Sequence, residues 1–402
     1  MIRRELYLAH LAQFLHTPLI KVITGMRRVG KSTLMRIVQD DLLSQGVAAK
    51  NILYINKESL DFDAIRNYRD LNAWVQAHRP RGKQKAFLFI DEVQEISEWE
   101  RAVLSLHGEG WVDIVLTGSN ANLLSGELAT LLSGRHVVIP VYPLNFREYL
   151  QFRKAHGAKE NREEAFWAYM RVGGLPGIHD FPAESPALDE FLRNIFSAIL
   201  LRDVVSRYRI RDVSILERVA RFVLANCGNI TTAQSIAVYF KSQRLQATLP
   251  TVLNYLAALE SAWLVRRVGR LDLQGRKHLE FHDKFYAGDI GLRNSLVGYR
   301  ETELPGLLEN VVCLELMSRG YQVHTGQQAG HEIDFVAERA QERLYIQVCY
   351  SLSDAKTVER EFRSLDKIDD HHPKLVLSLD AHWEGNQKGI GWKNLIAWLA
   401  AG

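Results

Sequence analysis

The sequence predicts an α/β protein whose first part is built on a mostly parallel sheet, and three observations predict it. Between about residues 18 and 141, short apolar runs alternate with helical stretches, the pattern of successive strand–helix units. The first run leads at once into a loop bounded by glycines and then into a helix. After about residue 285 a second shift gives a helix, three strands, a helix and a strand, which is again α/β. A chain of 402 residues exceeds one typical domain. The shifts divide it into 1–150, a parallel-sheet core; 151–285, a helical and winged-helix region; and 286–402, a C-terminal module.

The runs of the first part are Leu19–Thr24, Asn51–Ile55, Ala86–Ile90, Val112–Thr117 and Val137–Val141. Hydrophobic residues at 47% and charged residues at 24% exclude a disordered chain. The net charge of +3 is too small to imply a nucleic-acid partner, so such a partner must be argued from local patches. Cys227, Cys313 and Cys349 are odd in number and form no CxxC pair, which argues against a zinc site or a disulfide frame and fits a reducing cytoplasm. The N-terminus lacks the apolar core of a signal peptide, and with no run of about 18 apolar residues no membrane span is expected.

Gly25-Met26-Arg27-Arg28-Val29-Gly30-Lys31-Ser32 fits GxxxxGK[ST], between an apolar strand and a helix expected to open at Thr33. That context gives the motif its meaning. Gly25 and Gly30 let backbone N–H groups turn toward phosphates, and the helix N-terminus adds partial positive charge. Lys31 reaches β and γ phosphates, and the Ser32 hydroxyl ligates Mg²⁺. Phe87-Leu88-Phe89-Ile90-Asp91-Glu92 is a buried strand ending in two carboxylates. Asp91 is expected to hold Mg²⁺ through water and Glu92 to polarise the attacking water, which with positive charge is most of what phosphoryl transfer needs. ATP with Mg²⁺ is therefore the expected ligand.

At the end of the run from Val112, Ser119 and Asn120 face the crevice side of a parallel sheet. Either one contacts the γ-phosphate or the lytic water, or the pair caps a helix from Ala121. Arg135 precedes the last strand and is either a solvated loop arginine or one that reaches a neighbouring subunit's nucleotide.

TGMRRVGKST, FLFIDEVQ, LTGSNANLLSGE, LLSGRHVVIPVYPLNFREYL, GGLP and LLRDVV together resemble a family of bacterial and archaeal AAA+-type P-loop ATPases. The resemblance covers nearly the whole chain. It implies an AAA-like core in which Lys31, Ser32, Asp91 and Glu92 carry the nucleotide chemistry. It also implies a sensor at Ser119 or Asn120, an arginine finger at Arg135 acting in trans, and hence a homo-oligomer.

Residues 213–283 have the order of a winged helix: helices at Ile215–Leu224, Thr231–Phe240 with Thr231 as cap, and Leu249–Glu260, then strands at Trp263–Arg270 and Arg276–His282. Arg266, Arg267, Arg270, Arg276 and Lys277 lie on the wing, with Arg202, Arg207, Arg209 and Arg211 upstream. Such arginines suit DNA phosphates, although winged helices of ATPases also make purely protein contacts.

In the last part, Glu332–Val336 and Leu344–Cys349 look like paired strands of a restriction-endonuclease-like fold, with Glu309 on the preceding helix. Asp334 matches the first metal-binding position. The triplet that should supply an acid and a lysine reads Gln347-Val348-Cys349, and a neutral amide and a thiol replace neither group. A non-cleaving module is expected. His371-His372, beside Pro373, is assigned no metal. The function expected is Mg²⁺-dependent ATP hydrolysis driving a DNA-associated process. The alternatives are a nucleotide-dependent switch that binds protein partners and, more weakly, an active nuclease.

Overall fold

The structure is a computed structural model and describes residues 1–401 except 83, 122, 124–131, 133, 160, 183–184, 276, 329 and 381–384. Two compact units divide it, Met1–Val141 and Tyr142–Gly402.

The first unit is a five-stranded sheet of β1 (Ile20–Thr24), β2 (Ile52–Asn56), β3 (Ala86–Asp91), β4 (Val112–Gly118) and β5 (His136–Pro140), in the order β2-β3-β4-β1-β5. Every pairing is parallel. All residues of β1, β3 and β4 are buried, which explains their continuous apolar runs. Helices α1 (Glu5–Ala12), α2 (Lys31–Ser44), α3 (Tyr68–Ala77) and α4 (Trp99–Glu109) accompany the sheet. Helix α2 opens at Lys31, two residues before the expected start, because Gly30 already serves as its cap at φ +95°. Helix α3 starts in a reciprocal capping box between Asn67 and Asp70.

One polar pair interrupts the apolar strands. Lys21 on β1 is fully buried and its ammonium donates to the carboxylate of Asp113 on β4. Asp113 also accepts the His16 N–H at 2.7 Å, and Lys21 donates to the Thr17 carbonyl at 3.3 Å. Burial lowers the lysine's pKa, against the pull of Asp113. This pair lies at the N-terminal ends of β1 and β4, away from the phosphate loop.

The second unit starts with helices α5 (Phe146–Ala155), α6 (Arg162–Val172) and α7 (Pro186–Ala198), the last continued as a π-helix over Ile199–Ser206. The glycine pair between α6 and α7 is fixed by close approach. Gly173 has φ +75°, and a Cβ there would meet the Asp289 carboxylate at 2.5 Å. The Gly174 N–H donates to Asp289 Oδ2 at 2.8 Å. Asp289 also accepts the Leu292 N–H at 2.9 Å, capping α11 (Ile290–Val297), and burial pushes its carboxyl up to about 6.

Helices α8 (Val213–Ala225), α9 (Ala233–Ser242) and α10 (Leu249–Ser261) precede the antiparallel pair β6 (Val265–Asp272) and β7 (Lys277–Ala287). The cap of α9 is Thr232, not Thr231: Thr232 Oγ1 accepts the Ser235 N–H at 2.9 Å, while the buried Thr231 donates to the Asn229 carbonyl. Position 285 lies inside β7. Strand β6 pairs in parallel with β8 (Gln322–Gln328), so the hairpin extends an eight-stranded sheet in the order β12-β13-β11-β10-β9-β8-β6-β7. The remaining strands are β9 (His331–Arg339), β10 (Glu342–Val348), β11 (Lys374–Ser378), β12 (Gly385–Gln387) and β13 (Ile390–Asn394). Helices α12 (Leu304–Ser318), α13 (Ala355–Asp366) and α14 (Leu395–Ala401) complete the unit. Among the described residues no helix is long and apolar enough to cross a membrane.

His179 gives the unit a pH dependence. Its ring packs on Tyr149 at 5.0 Å, Phe152 at 5.6 Å and His156 at 5.4 Å. Burial, then the charges of His156 and Arg153, lower its pKa from 6.5 to about 4. A depressed histidine contributes its full stability above about 6.5, and that contribution is lost as pH falls toward the folded value. Urea unfolding of wild type and His179→Phe at pH 7 and 4.5 checks this. Wild type should lose about 2.5 kcal/mol more than the variant over that interval.

Candidate functional site

The glycine-bounded loop Gly25–Gly30 joins β1 to α2 under tight backbone constraint. Gly25 sits at φ +154°, and a Cβ there would lie 2.3 Å from the Val141 carbonyl oxygen. Met26 and Val29 point into the core, at 1% and 0% exposure, while Arg28 takes φ +69°. Arg27 pairs with Glu58 at 3.3 Å. Ser32 is half-buried and Thr33 exposed in the first turn of α2. A buried arginine braces the loop from behind: Arg4 donates to the Val29 carbonyl at 3.1 Å and stacks over Tyr7.

Lys31 is 4% exposed, and its ammonium donates to the Gly25 and Met26 carbonyl oxygens, both at 3.0 Å. It also lies 3.7 Å from Glu92 Oε1. Asp91 ends β3, 3% exposed. Its Oδ1 accepts the Thr117 hydroxyl, and its Oδ2 accepts the Tyr54 hydroxyl at 3.3 Å. The same Thr117 oxygen accepts the Glu92 N–H at 2.9 Å. Glu92 adopts φ +56°, a left-handed conformation that costs a non-glycine residue about 1 kcal/mol or more. Its Oε2 accepts the Gln94 amide. The structure thus brings Lys31 to 3.7 Å from Glu92, and Thr117 joins Glu92 to Asp91.

Ser119 and Asn120 follow β4 directly and are 1% and 7% exposed. On β4 the hydroxyl bonded to the acidic pair belongs to Thr117, one turn of pleat earlier. Arg135 is exposed at the opposite end of the sheet. Its carbonyl accepts the Ile20 N–H at 2.8 Å, whereas Thr24, at the loop, is level with Pro140. Five residues of strand, roughly 16 Å, separate the two levels, so Arg135 is not part of its own subunit's site.

Sequence reasoning missed Thr117, Gln94, Tyr54 and Arg4. Gln94 and Thr117 stand inside quoted motifs, but a 3₁₀ turn brings the first, and β3–β4 pairing the second, onto the carboxylates.

The C-terminal module holds a second ionic cluster. Lys284 on β7 is 3% exposed, and its ammonium lies 2.8 Å from Glu332, 3.0 Å from Glu309 and 3.8 Å from Asp334. Tyr286 also donates to Glu309, at 2.8 Å. Burial alone would lower the lysine's pKa, but the three carboxylates outweigh it and keep the ammonium charged. Gln347 accepts the Asp334 N–H at 2.6 Å and donates to Glu361 at 2.9 Å. Burial pushes the Cys349 thiol up to about 12, so it stays protonated. Among the described residues, no three acidic, histidine or cysteine side chains are grouped to hold a metal ion.

Two of the wing arginines make contacts within the protein. Arg267 donates to Asp283 at 2.6 Å, and Arg266 stacks over Trp263 at 4.6 Å. Arg276 lies outside the described residues, as does the Lys277 side chain. Arg202, Arg209 and Arg211 are exposed.

Residues 17–150 match the AAA domain family and residues 163–303 a domain of unknown function. An uncharacterized protein of Haemophilus influenzae is 36% identical over 399 residues, spanning 99% of this chain and 98% of that protein. The chain belongs to the family of that protein. A Methanocaldococcus jannaschii protein, also uncharacterized, is 29% identical over 91% of this chain and 83% of its own. A Walker-type ATPase of Pyrococcus abyssi shares the fold at a TM-score of 0.51 and 15% identity, over 74% of this chain and 96% of that one. The family's first unit thus has the fold of a P-loop ATPase.

Removing the ammonium from the second cluster leaves three carboxyl groups without their cation, and burial already pushes two of them, Glu309 and Asp334, up. Lys284→Met should destabilise the protein by about 3–5 kcal/mol at neutral pH, read as a lower urea midpoint.

Proposed function

We propose that the chain is an ATPase whose site is Lys31, Ser32, Asp91 and Glu92, with the 25–33 loop holding the triphosphate. The observation that carries this is the buried Lys31 ammonium at the end of β1, held by two loop carbonyls and facing Glu92. Arriving phosphate oxygens replace those neutral acceptors. Hard oxygen ligands suit Mg²⁺, and Ser32 and Asp91 supply them. Both Asp91 oxygens are already bonded, to Thr117 and Tyr54, which favours contact with the ion through water. Bound there, the ion neutralises charge on the β and γ phosphates.

Glu92 accepts a proton from water as the water oxygen bonds to the γ-phosphorus. The bridging P–O bond breaks with its electrons remaining on ADP, and the proton passes on to phosphate. The exposed position of Arg135, far from its own loop, supports a finger offered to a neighbouring subunit. The three-part organisation, with a winged-helix region and a nuclease-like module, belongs to the same proposal.

For the partner, a specific observation favours protein over DNA. Helix α10 carries no Lys or Arg, and it exposes Leu249 and Leu253 at 38% and 51%. Wing residue Arg267 pairs with Asp283, and Arg266 stacks over Trp263. In the last module, the Lys284 ammonium among the carboxylates supports a module that does not cleave.

Steady-state ATP turnover and nucleotide binding test the ATPase. Lys31→Ala should lose nucleotide binding, while Glu92→Gln should keep it and lose turnover by roughly a hundredfold or more. Equal nucleotide retention by Lys31→Ala would refute the site. Turnover per subunit should rise with protein concentration in wild type, and Arg135→Ala should abolish the rise. Duplex DNA should leave turnover unchanged; stimulation that fades with salt would restore the DNA reading.

A further inference from the structure

The turn after the acidic pair contains a group whose role the ATPase reading leaves unassigned. Val93–Glu95 forms a single 3₁₀ turn, begun by the left-handed Glu92. That turn carries the Gln94 side chain back toward the strand ends. Its amide nitrogen donates to Glu92 Oε2. The assignment of nitrogen and oxygen follows from chemistry: an ionised carboxylate only accepts, so the amide's donor must face it. Gln94 Oε1 is buried and has no hydrogen-bond partner among the described residues. A Cβ on Gly118 would come within 2.9 Å of that oxygen and 2.7 Å of Leu123. Glycine at the end of β4 therefore leaves the space in which the carboxamide lies.

Glu92 is thus held from both ends. Thr117 fixes its backbone N–H, and Gln94 fixes its carboxylate. Lys31 lies 3.7 Å from the other carboxylate oxygen. When phosphate draws the lysine away, the amide is the hydrogen bond that still directs the carboxylate.

We propose that Gln94 is the positioning residue for Glu92, setting the carboxylate that accepts the proton of the attacking water. This rests on the ATPase reading. It assigns no contact between Gln94 and nucleotide, so Gln94 acts on the chemical step and not on binding. A misplaced general base costs rate without costing affinity, and errors of about 1 Å cost on the order of a hundredfold.

The test compares Gln94→Met, which keeps length and removes the donor, with Gln94→Glu, which keeps shape and places a second carboxylate against the first. Nucleotide dissociation constants are measured on the full chain with a fluorescent ATP analogue, and kcat and KM by phosphate release. Both variants should lose kcat by roughly ten- to hundredfold, with dissociation constants within about threefold of wild type. In the Glu92→Gln background, Gln94→Met should cause no further loss in single-turnover hydrolysis, because residues acting through one another are not additive. Wild-type kcat in Gln94→Met, a matching loss of binding and rate, or additive effects in the double variant would each overturn the inference alone. Absence of turnover in wild type would overturn the ATPase reading and the inference together.

Discussion

The first unit is organised around one buried ammonium, Lys31, at the C-terminal ends of its strands. Lys31 sits at the first turn of a helix, beneath a loop whose path passes so close to the Val141 carbonyl that only glycine fits at position 25. A buried cation without acceptors is costly. Here two loop carbonyls and the edge of a carboxylate serve it. Loop, sheet order and acidic pair follow from that requirement: β4 lies between the strand that delivers the loop and the strand that delivers the acids, and it contributes the hydroxyl that ties the acids together.

The two ends of the parallel sheet have separate tasks. At the C-terminal ends of the strands, polar groups converge on one crevice. At the N-terminal ends, Lys21 and Asp113 form a closed pair whose remaining capacity goes to the His16 N–H and the Thr17 carbonyl. That second pair has no opening for a ligand. Its acceptors are all used, and both side chains have no exposure. It joins adjacent strands β1 and β4 across a registry the apolar residues alone specify only by shape.

Much of this was legible in the sequence, for reasons that differ by element. Strands β1, β3 and β4 could be read because burial on both faces leaves no polar alternation, so bounds came out within one residue or so. The phosphate loop is local in sequence and carries its own strand and helix. Asp91 and Glu92 end an apolar run. Thr117 and Gln94 could not be read, since a threonine in a strand and a glutamine in a turn are ordinary, and only β3–β4 pairing brings Thr117 to the carboxylates. Lys284 was not singled out in the sequence. Its role depends on Glu309, Glu332 and Asp334, which come from α12 and β9 far along the chain. The continuity of β6 with β8 joins residues more than fifty positions apart, and no local pattern announces such a pairing.

Three buried ammonium groups, Lys21, Lys31 and Lys284, separate structure from chemistry by the identity of their acceptors. Lys284 faces three carboxylates, and displacing it would strand their charge in a low-dielectric interior, where the cost is several kcal/mol per ion. Lys21 faces one carboxylate in full burial and is fixed by the same arithmetic. Lys31 bonds to two neutral carbonyl oxygens at 3.0 Å, with the Glu92 carboxylate at 3.7 Å. On the ATPase reading, trading those neutral carbonyls for phosphate oxygens gains charge complementarity. On that reading the loop lysine is the one that a ligand recruits, whereas Lys284 ties β7 to α12 and β9.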